Sequence, residues 1–233
     1  MKFNVIVADP PWGDFRDKLK MSSVKRGAAA NYPVLSIEEI CNLPVKDLSD
    51  PNGCVLALWV LGSMLEDGLK VMKAWGFEQK QVYVWVKTKK QSSINSLAFK
   101  DLLISIKRWK NDPISFVDEI LKSSFKIGDW LLSFGMGRLF RQSHEICLIG
   151  INSTKVYQEL ANKSQRSVCF EENKGHSIKP DNLQNSLEFM FPNAKKIEMF
   201  ARRKRQGWTS IGHDVLNGED ITKSIQTLKD SNV

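Results

Sequence analysis

Short apolar runs alternate with helical patterns along this chain, and that alternation constrains its fold more than any other feature. Five runs are rich in β-branched and aromatic residues and are typical of buried strands: Val5 to Ala8, Cys54 to Val60, Val82 to Val86, Glu145 to Ile149 and Lys196 to Ala201. Strands that alternate with helices form a mostly parallel sheet covered on both faces. The sequence therefore predicts an α/β fold, in which ligands bind beyond the carboxyl ends of the strands.

The helical patterns between these runs have recognisable ends. Ser36 and Glu39 have the spacing of a capping box at the start of one helix. A second helix is predicted to begin at Ser63 and to stop at Gly76, with apolar positions at Met64, Leu65, Leu69, Val71 and Met72. A third helix is predicted from about Asp181 to Met190, between two prolines.

Residues 91–137 interrupt the alternation and are interpreted as an insertion within a single domain of residues 1–233. Apolar residues there fall at helical spacing in two stretches, the second of which starts at Asp112-Pro113. We expect a small helical cap whose apolar stripes pack in a core and whose Lys and Arg residues can reach nucleic acid. The last stretch, from about Leu216, is polar and is predicted to be a frayed helix or a loose tail.

The composition of the chain excludes several classes of protein. No apolar stretch approaches the roughly 18 residues of a membrane span and the N-terminus does not resemble a signal peptide, so we expect a soluble, cytoplasmic protein. The 4 cysteines show neither a disulfide framework nor a zinc pattern and are interpreted as buried, reduced thiols. The net charge of +8 favours a polyanionic partner. The charge clusters in the run Arg202 to Arg205, near which Glu198 is the one acid in the sequence.

The first predicted strand ends in Asp9-Pro10-Pro11-Trp12. Proline fixes φ and has no backbone N–H, so the carbonyls beside the prolines are expected to be free to accept hydrogen bonds from a ligand. Asp9 adds a charged acceptor, and Trp12 adds a stacking surface. The combination suits a site that grips a flat, amine-bearing ring, but the tetrapeptide alone is equally compatible with a proline-rich turn.

Later segments complete an ordered series of motifs. The series comprises Asp9-Pro10-Pro11-Trp12, Leu58-Trp59-Val60, Trp85-Val86-Lys87-Thr88, His144 to Gly150, Ser177 to Asp181, Lys196 to Arg202, and Gly207-Trp208 followed by Ile211-Gly212. In this order it resembles the MT-A70 family of adenine N(6)-methyltransferases, which includes the eukaryotic messenger-RNA methyltransferase and related DNA enzymes. The resemblance covers nearly everything outside the insertion.

The resemblance implies a Rossmann-like class I methyltransferase fold that binds S-adenosylmethionine (SAM). The sheet is expected to be seven-stranded and mostly parallel, with helices on both sides. The motif order, with the catalytic tetrapeptide first and the cofactor strand last, is similar to the permuted β class.

Nucleic acid is the partner that the resemblance implies, and we expect a monomer or a homodimer without membrane association. We favour DNA over RNA, because the chain shows no appended RNA-binding domain and the inserted helices could contact DNA. A catalytically silent partner subunit is the alternative from another class. Such partners typically lose the tetrapeptide that is intact here.

The resemblance also implies roles for individual residues. Catalysis is expected from Asp9, Pro10, Pro11 and Trp12, with Asp9 and the Pro10 carbonyl accepting the two amine hydrogens of adenine. Substrate contacts are expected from Tyr32, Lys87 and Arg26, with residues 14–31 forming a flexible gate. The residues expected to bind the cofactor are Ala8, Asp9, Lys179, Glu198, Phe200, Arg202, Gly212, His213 and Asp214. No metal ligand is expected.

Some of these assignments depart from the family pattern. Lys179 is similar to the lysine that contacts the methionyl carboxylate, while Glu198 and Arg202 match the strand end that holds ribose hydroxyls. Ala201 stands where some members carry glycine, which leaves less room for close backbone approach. His213 stands where the family usually carries an amide, so its contact is open.

Overall fold

The computed structural model describes residues 1–13, 34–93, 95, 100, 131–133, 135, 139–175, 178–215 and 220–230. Its strands are β1 (Val5–Ala8), β2 (Val55–Val60), β3 (Glu78–Thr88), β4 (His144–Ile151), β5 (Val168–Glu172), β6 (Lys196–Met199) and β7 (Thr209–Ile211). Its α-helices are α1 (Ile37–Cys41), α2 (Leu65–Ala74), α3 (Asn182–Met190) and α4 (Ile221–Asp230). Short 3₁₀ turns occupy Val45–Asp47, Gly62–Met64 and Thr154–Glu159.

The seven strands form one sheet in the order β5-β3-β4-β2-β1-β6-β7. β1 pairs in parallel with both β2 and β6, and β6 pairs in parallel with β7, whereas β4 runs antiparallel to β2. Ala8 lies opposite Leu58 on one side and Met199 on the other, so three strands reach their carboxyl ends together. The predicted seven-stranded, mostly parallel sheet is confirmed, and Asp9 follows directly at this edge.

The chain divides into two compact units. The first comprises Met1–Val84, Glu145–Val168 and Asp181–Val233, and the second comprises Trp85–His144 and Cys169–Pro180. The second unit includes the stretch interpreted as an insertion, most of which lies outside the described residues. The single domain with a helical insertion at 91–137 therefore stays a prediction.

The core of the first unit surrounds its two central strands. Every residue of β1 and of β2 is buried, as expected for strands with helices on both faces. Helix α2 packs so closely on the sheet that a Cβ added at Gly68 would lie 2.5 Å from Cγ1 of Val60. Close packing of this kind fixes the positions of the strand ends, where the candidate site lies.

The helix predictions had mixed outcomes. The capping box is confirmed, because Ser36 Oγ accepts the Glu39 N–H at 3.2 Å and Glu39 Oε2 accepts the Ser36 N–H at 2.8 Å. The second helix begins later than Ser63, after a 3₁₀ turn, and the placement of Leu65 and Leu69 on its apolar face is wrong, since they are 37% and 45% exposed. The third helix is confirmed, with Asp181 at its N-cap.

The C-terminal region is more ordered than its polar sequence predicted. Helix α4 buries Ile221 and Ile225 in the core of the first unit. Lys229 Nζ binds Asp47 Oδ2 at 2.7 Å, and the N-terminal amine of Met1 donates to the Leu228 carbonyl at 3.2 Å. The expectation of a loose tail is therefore wrong for residues 221–230. In the described part of the chain, no helix is long and apolar enough to cross a membrane.

Candidate active site

The Asp9-Pro10-Pro11-Trp12 segment leaves β1 at the carboxyl edge of the sheet and is anchored at its far end. The Trp12 ring is only 4% exposed, and its Nε1 donates to the Trp59 carbonyl at 3.1 Å, which ties the segment to the end of β2. Leu35 N–H donates to the Pro11 carbonyl at 3.0 Å, and Gly13 N–H donates to the Leu35 carbonyl at 2.9 Å. The tetrapeptide is thus held between β2 and the residues that precede α1.

The proline carbonyls are less free than the sequence predicted. The Pro10 carbonyl accepts the Trp12 N–H at 2.9 Å, and the Pro11 carbonyl accepts the Leu35 N–H at 3.0 Å. The prediction of unoccupied carbonyls is therefore wrong at both prolines, because the chain turns sharply at Pro10 and then pairs with the segment around Leu35. A carbonyl oxygen has two lone pairs, so Pro10 retains capacity for one more hydrogen bond.

Trp12 has a structural role in this arrangement. Its ring belongs to the core of the first unit, and little of its face is open to a second ring. The contacts show an anchor that fixes where Asp9 and Pro10 point. Stacking of a base on Trp12 stays a prediction.

Two carboxyl groups lie at this edge of the sheet. Glu198 of β6 lies opposite Val7 of β1, and Asp9 follows Val7 by two residues, directly beyond the end of β1. Asp9 is close enough for its negative charge to act on the Glu198 carboxyl group. Gln184, a buried residue of α3, hydrogen bonds the Glu198 side chain from the covering helix.

The pKa of Glu198 is raised above its ordinary value. Burial is the largest cause, and the negative charge of Asp9 adds to the increase. The hydrogen bond with Gln184 and the positive charges of Arg205 and Arg203 oppose the increase without cancelling it. Perturbed carboxyl groups at strand ends are typical of ligand sites.

The ends of β6 and β7 approach each other closely and form what we call the strand-end cradle, residues 200–202 and 212–214. Phe200 has a φ of 62°, a left-handed conformation that is strained for a bulky residue. Ala201 N–H donates to the Ile211 carbonyl at 2.9 Å, and a Cβ added at Gly212 would lie 2.5 Å from Ala201 N. Gly212 is thus required by the close approach of the two backbones.

Three predicted cofactor residues meet at this cradle. Arg202 Nη1 lies 3.7 Å from Asp214 Oδ2, and His213 Nδ1 lies 3.4 Å from Asp214 Oδ1. All three side chains retain substantial exposure, so they are accessible to a ligand. Together they place a guanidinium, a carboxylate and an imidazole within one small area.

The remaining predicted residues lie in the second unit or outside the described part of the chain. Lys87 and Lys179 belong to the second unit, where Lys87 Nζ lies 5.0 Å from the centroid of the Trp85 ring. Lys179 is half-buried and directly precedes Pro180. Tyr32, Arg26 and the gate predicted at 14–31 lie outside the described residues.

The basic run after β6 has acidic partners that the sequence analysis missed. Asp181 and Glu188, two turns apart on one face of α3, bind Arg203 and Arg205. The interpretation of residues 202–205 as uncompensated positive charge is therefore wrong for these two arginines. The spacing of seven residues between the two acids was the available signal, because residues so spaced share a helix face.

The fold is that of an α/β protein, and its candidate ligand site lies at the carboxyl ends of β1, β6 and β7. The MT-A70 family model matches residues 3–113 and 124–214, which include all of these strand ends. The chain belongs to the MT-A70 family.

Individual relatives are distant. The chain is 27% identical over 218 residues to the N(6)-adenosine-methyltransferase MT-A70-like of Arabidopsis thaliana, which covers 93% of this chain and 24% of that protein. It is 25% identical over 216 residues to the human N(6)-adenosine-methyltransferase catalytic subunit METTL3, or 92% of this chain and 28% of that protein. It is 24% identical over 228 residues to the type II methyltransferase M.MunI of a Mycoplasma species, or 92% of this chain and 78% of that protein. The chain thus spans about a quarter of the first two relatives.

Proposed function

We propose that this chain is a SAM-dependent methyltransferase that acts on the exocyclic amine of adenine in nucleic acid, with DNA as its substrate. The observation that carries the proposal is the position of Asp9. An anchored carboxylate follows β1 at the edge of the sheet where the strand-end cradle follows β6 and β7. The family match spans both elements.

The strand-end cradle fits the polar part of SAM. Arg202 supplies hydrogen-bond donors and Asp214 supplies acceptors, which is the pairing that ribose hydroxyls need. Gly212 keeps the space beside the backbone of Ala201 free of a side chain. Glu198, which feels the negative charge of Asp9 at the same edge, would complete the contacts. When bound, SAM supplies a methyl group on a positively charged sulfur.

Methyl transfer to the adenine amine depends mainly on how the reacting groups are positioned. The adenine amine is a weak nucleophile, because its lone pair is delocalised into the ring. Asp9 accepts one amine hydrogen, and the remaining lone pair of the Pro10 carbonyl accepts the other. This favours a pyramidal nitrogen whose lone pair points away from the two acceptors and towards the methyl group.

Transfer is then direct. With SAM bound, the amine nitrogen would take up the methyl group as the carbon–sulfur bond breaks to leave a neutral thioether, and the proton displaced from the amine would pass to Asp9 or to solvent. Alignment of the two reactants can be worth about 7 to 11 kcal/mol. No covalent link to the protein is required.

We place DNA ahead of RNA as the substrate. The relative with the name of a type II methyltransferase is matched over most of its length, whereas the two named for N(6)-adenosine are matched over about a quarter. A base in duplex DNA would have to leave the stack at a cost of a few kcal/mol. The two relatives named for adenosine support RNA as the second candidate.

The proposal is tested by incubating the protein with methyl-labelled SAM and with DNA and RNA pools of equal length and base composition. After digestion to nucleosides, we expect label in N(6)-methyladenine from the DNA pool. Matched adenine-free pools serve as the control and should take up no label. Label confined to the RNA pool would reverse the order of substrates. Folded protein that labels neither pool would contradict the enzymatic function.

A further inference from the structure

A cluster of polar side chains ties the loop after β6 to helix α3, and we call it the arginine clasp. Arg205 Nε donates to Glu188 Oε1 at 2.8 Å, and Arg205 Nη1 donates to Asp181 Oδ1 at 3.1 Å. Its Nη2 donates to Asn185 Oδ1. The three acceptors lie at positions 181, 185 and 188, on one face of the helix. One guanidinium thus spans two helical turns.

Other contacts of the loop reinforce the clasp. Trp208 Nε1 donates to Glu188 Oε1 at 2.6 Å, so Glu188 receives hydrogen bonds from two residues of the loop. Trp208 N–H donates to the Arg205 carbonyl at 3.1 Å. The Arg205 side chain is only 18% exposed, unlike the side chains of most surface ion pairs, whose contribution to stability is small.

The clasp lies between the segments that the proposed function assigns to SAM. The loop begins directly after the strand-end cradle residues 200–202 and leads into β7, which ends at Ile211, directly before the cradle residue Gly212. At the helix side, Asp181 follows Lys179 by two residues in the sequence. A change in the clasp would therefore shift the backbone that leads into the cradle.

The strained backbone of Phe200 needs surrounding contacts to hold it, and the clasp supplies some of them. A bulky residue with a φ of 62° keeps that conformation only where the surrounding contacts determine it fully. The hydrogen bond between Ala201 and Ile211 constrains one side of the strained residue, and the clasp constrains the loop that follows.

We propose that Arg205 is a positioning residue for the cofactor site, which holds the strand-end cradle in its binding conformation by fastening the loop to α3. This proposal rests on the proposed function, because it takes the cradle as the place where SAM binds. Arg205 acts through the backbone of residues 200–202.

The test compares Arg205→Gln, Arg205→Lys and Glu188→Gln with the wild-type chain. Lys204→Gln is the matched control, because it removes a positive charge from an exposed neighbour in the same loop. SAM affinity is measured by calorimetry, and the methyl-transfer rate is measured at saturating SAM. Circular dichroism checks that each variant is folded.

We expect Arg205→Gln to bind SAM roughly tenfold more weakly, a loss of about 1.4 kcal/mol in binding free energy. The rate at saturating SAM should stay within about twofold of the wild-type rate, because Asp9 is untouched. Arg205→Lys should recover only part of the affinity, since an ammonium cannot span three acceptors as a guanidinium does. Lys204→Gln should bind SAM as the wild type does.

Wild-type SAM affinity in folded Arg205→Gln would overturn the positioning role and leave the proposed function intact. If Arg205→Gln does not fold, wild-type affinity in both Arg205→Lys and Glu188→Gln would overturn it equally. A wild-type chain that binds no SAM would remove the proposed function, and the positioning role with it.

Discussion

At the scale of single residues, Glu188 and Glu198 show how the surroundings decide the behaviour of a carboxyl group. Burial raises the pKa of Glu198, and the opposing hydrogen bond and charges do not cancel that effect. Burial also acts to raise the pKa of Glu188, but the hydrogen bonds from Arg205 and Trp208 outweigh it and hold the pKa below its usual value. The two acids therefore contribute to stability in opposite pH ranges.

Replacement of each acid by glutamine should reveal opposite pH dependences of the free energy of unfolding. Glu198, whose pKa is raised in the fold, stabilises fully below its unfolded value of about 4.5, and this contribution is lost as the pH rises through the folded pKa. Glu188, whose pKa is lowered, stabilises above about 4.5 and loses that contribution as the pH falls. Urea denaturation between about pH 3 and pH 8 measures both differences.

The expected result is a wild-type stability that declines relative to Glu198→Gln above about pH 4.5, and relative to Glu188→Gln below it. Each variant is the control for the other, because both remove the same charge near the same helix. Differences that are flat with pH, or that follow the same direction, would contradict these environments.

Site residues differ in how far the sequence could predict them. Asp9 could be placed at a strand end because it follows a continuous apolar run, and parallel strand ends meet at one edge. Arg202 and Asp214 could be assigned only through the resemblance to the MT-A70 family. The left-handed Phe200 and the pairing of Arg205 with Glu188 could not be predicted. The first depends on the close approach of β6 and β7, and the second depends on how the loop after β6 packs against α3. The spacing of the acids in α3 indicates a shared face but not the residue that binds there.

At the scale of elements, two buried tryptophans each link a pair of elements by a hydrogen bond from the indole N–H to a backbone carbonyl. Trp12 Nε1 donates to the Trp59 carbonyl at 3.1 Å and so links the tetrapeptide after β1 to the end of β2. Trp75 Nε1 donates to the Ile40 carbonyl at 2.8 Å and so links the end of α2 to α1. The first bond holds the candidate site, whereas the second joins the helices.

Phenylalanine at either position should cost stability, but only one change should impair the reaction. Each variant loses one buried hydrogen bond and leaves a carbonyl with one partner fewer, at about 1–3 kcal/mol. Trp12→Phe should also slow methyl transfer, by roughly tenfold at saturating SAM, because Asp9 and Pro10 lose their fixed direction. Rates per folded molecule and urea midpoints measure the two effects, with Trp75→Phe as the control. Equal rates in the two variants would contradict the anchoring role of Trp12.

Elements that are largely buried in the core could be predicted from the sequence more easily than elements with few buried residues. β1 and β2 could be predicted because every residue in them is buried and apolar patterns are continuous there. β7 has three residues and one buried position, and β5 at the other edge of the sheet buries only Cys169, so neither produces an apolar run. Helix α4 is polar on most sides, and two isoleucines suffice to dock it.

At the scale of the whole molecule, the positive charge is less available to a polyanion than the sequence total indicates. The net charge is +8, but Arg203 and Arg205 are engaged by acids of α3. Exposed lysines such as Lys195 and Lys204 are better placed to attract phosphate groups by charge alone. Binding of nucleic acid should therefore rely on side chains outside the arginine clasp.

The topology explains why the proposed site lies where it does. Parallel pairing of β1 with β6 and of β6 with β7 brings Asp9 and the strand-end cradle to one edge of the sheet, although about 190 residues separate them in the sequence. The family match covers both. We propose that Asp9 prepares the amine while the cradle holds the methyl donor.

The separate roles of Asp9 and the cradle are measured by comparing the wild-type chain with Asp9→Asn in a single-turnover assay, in which N(6)-methyladenine formation and SAM affinity are determined on the same preparation. We expect product formation to fall by at least about 100-fold, because an amide cannot replace the charged acceptor. SAM affinity should change by less than about threefold, or about 0.65 kcal/mol. Product formation at the wild-type rate by Asp9→Asn would show that Asp9 does not prepare the amine.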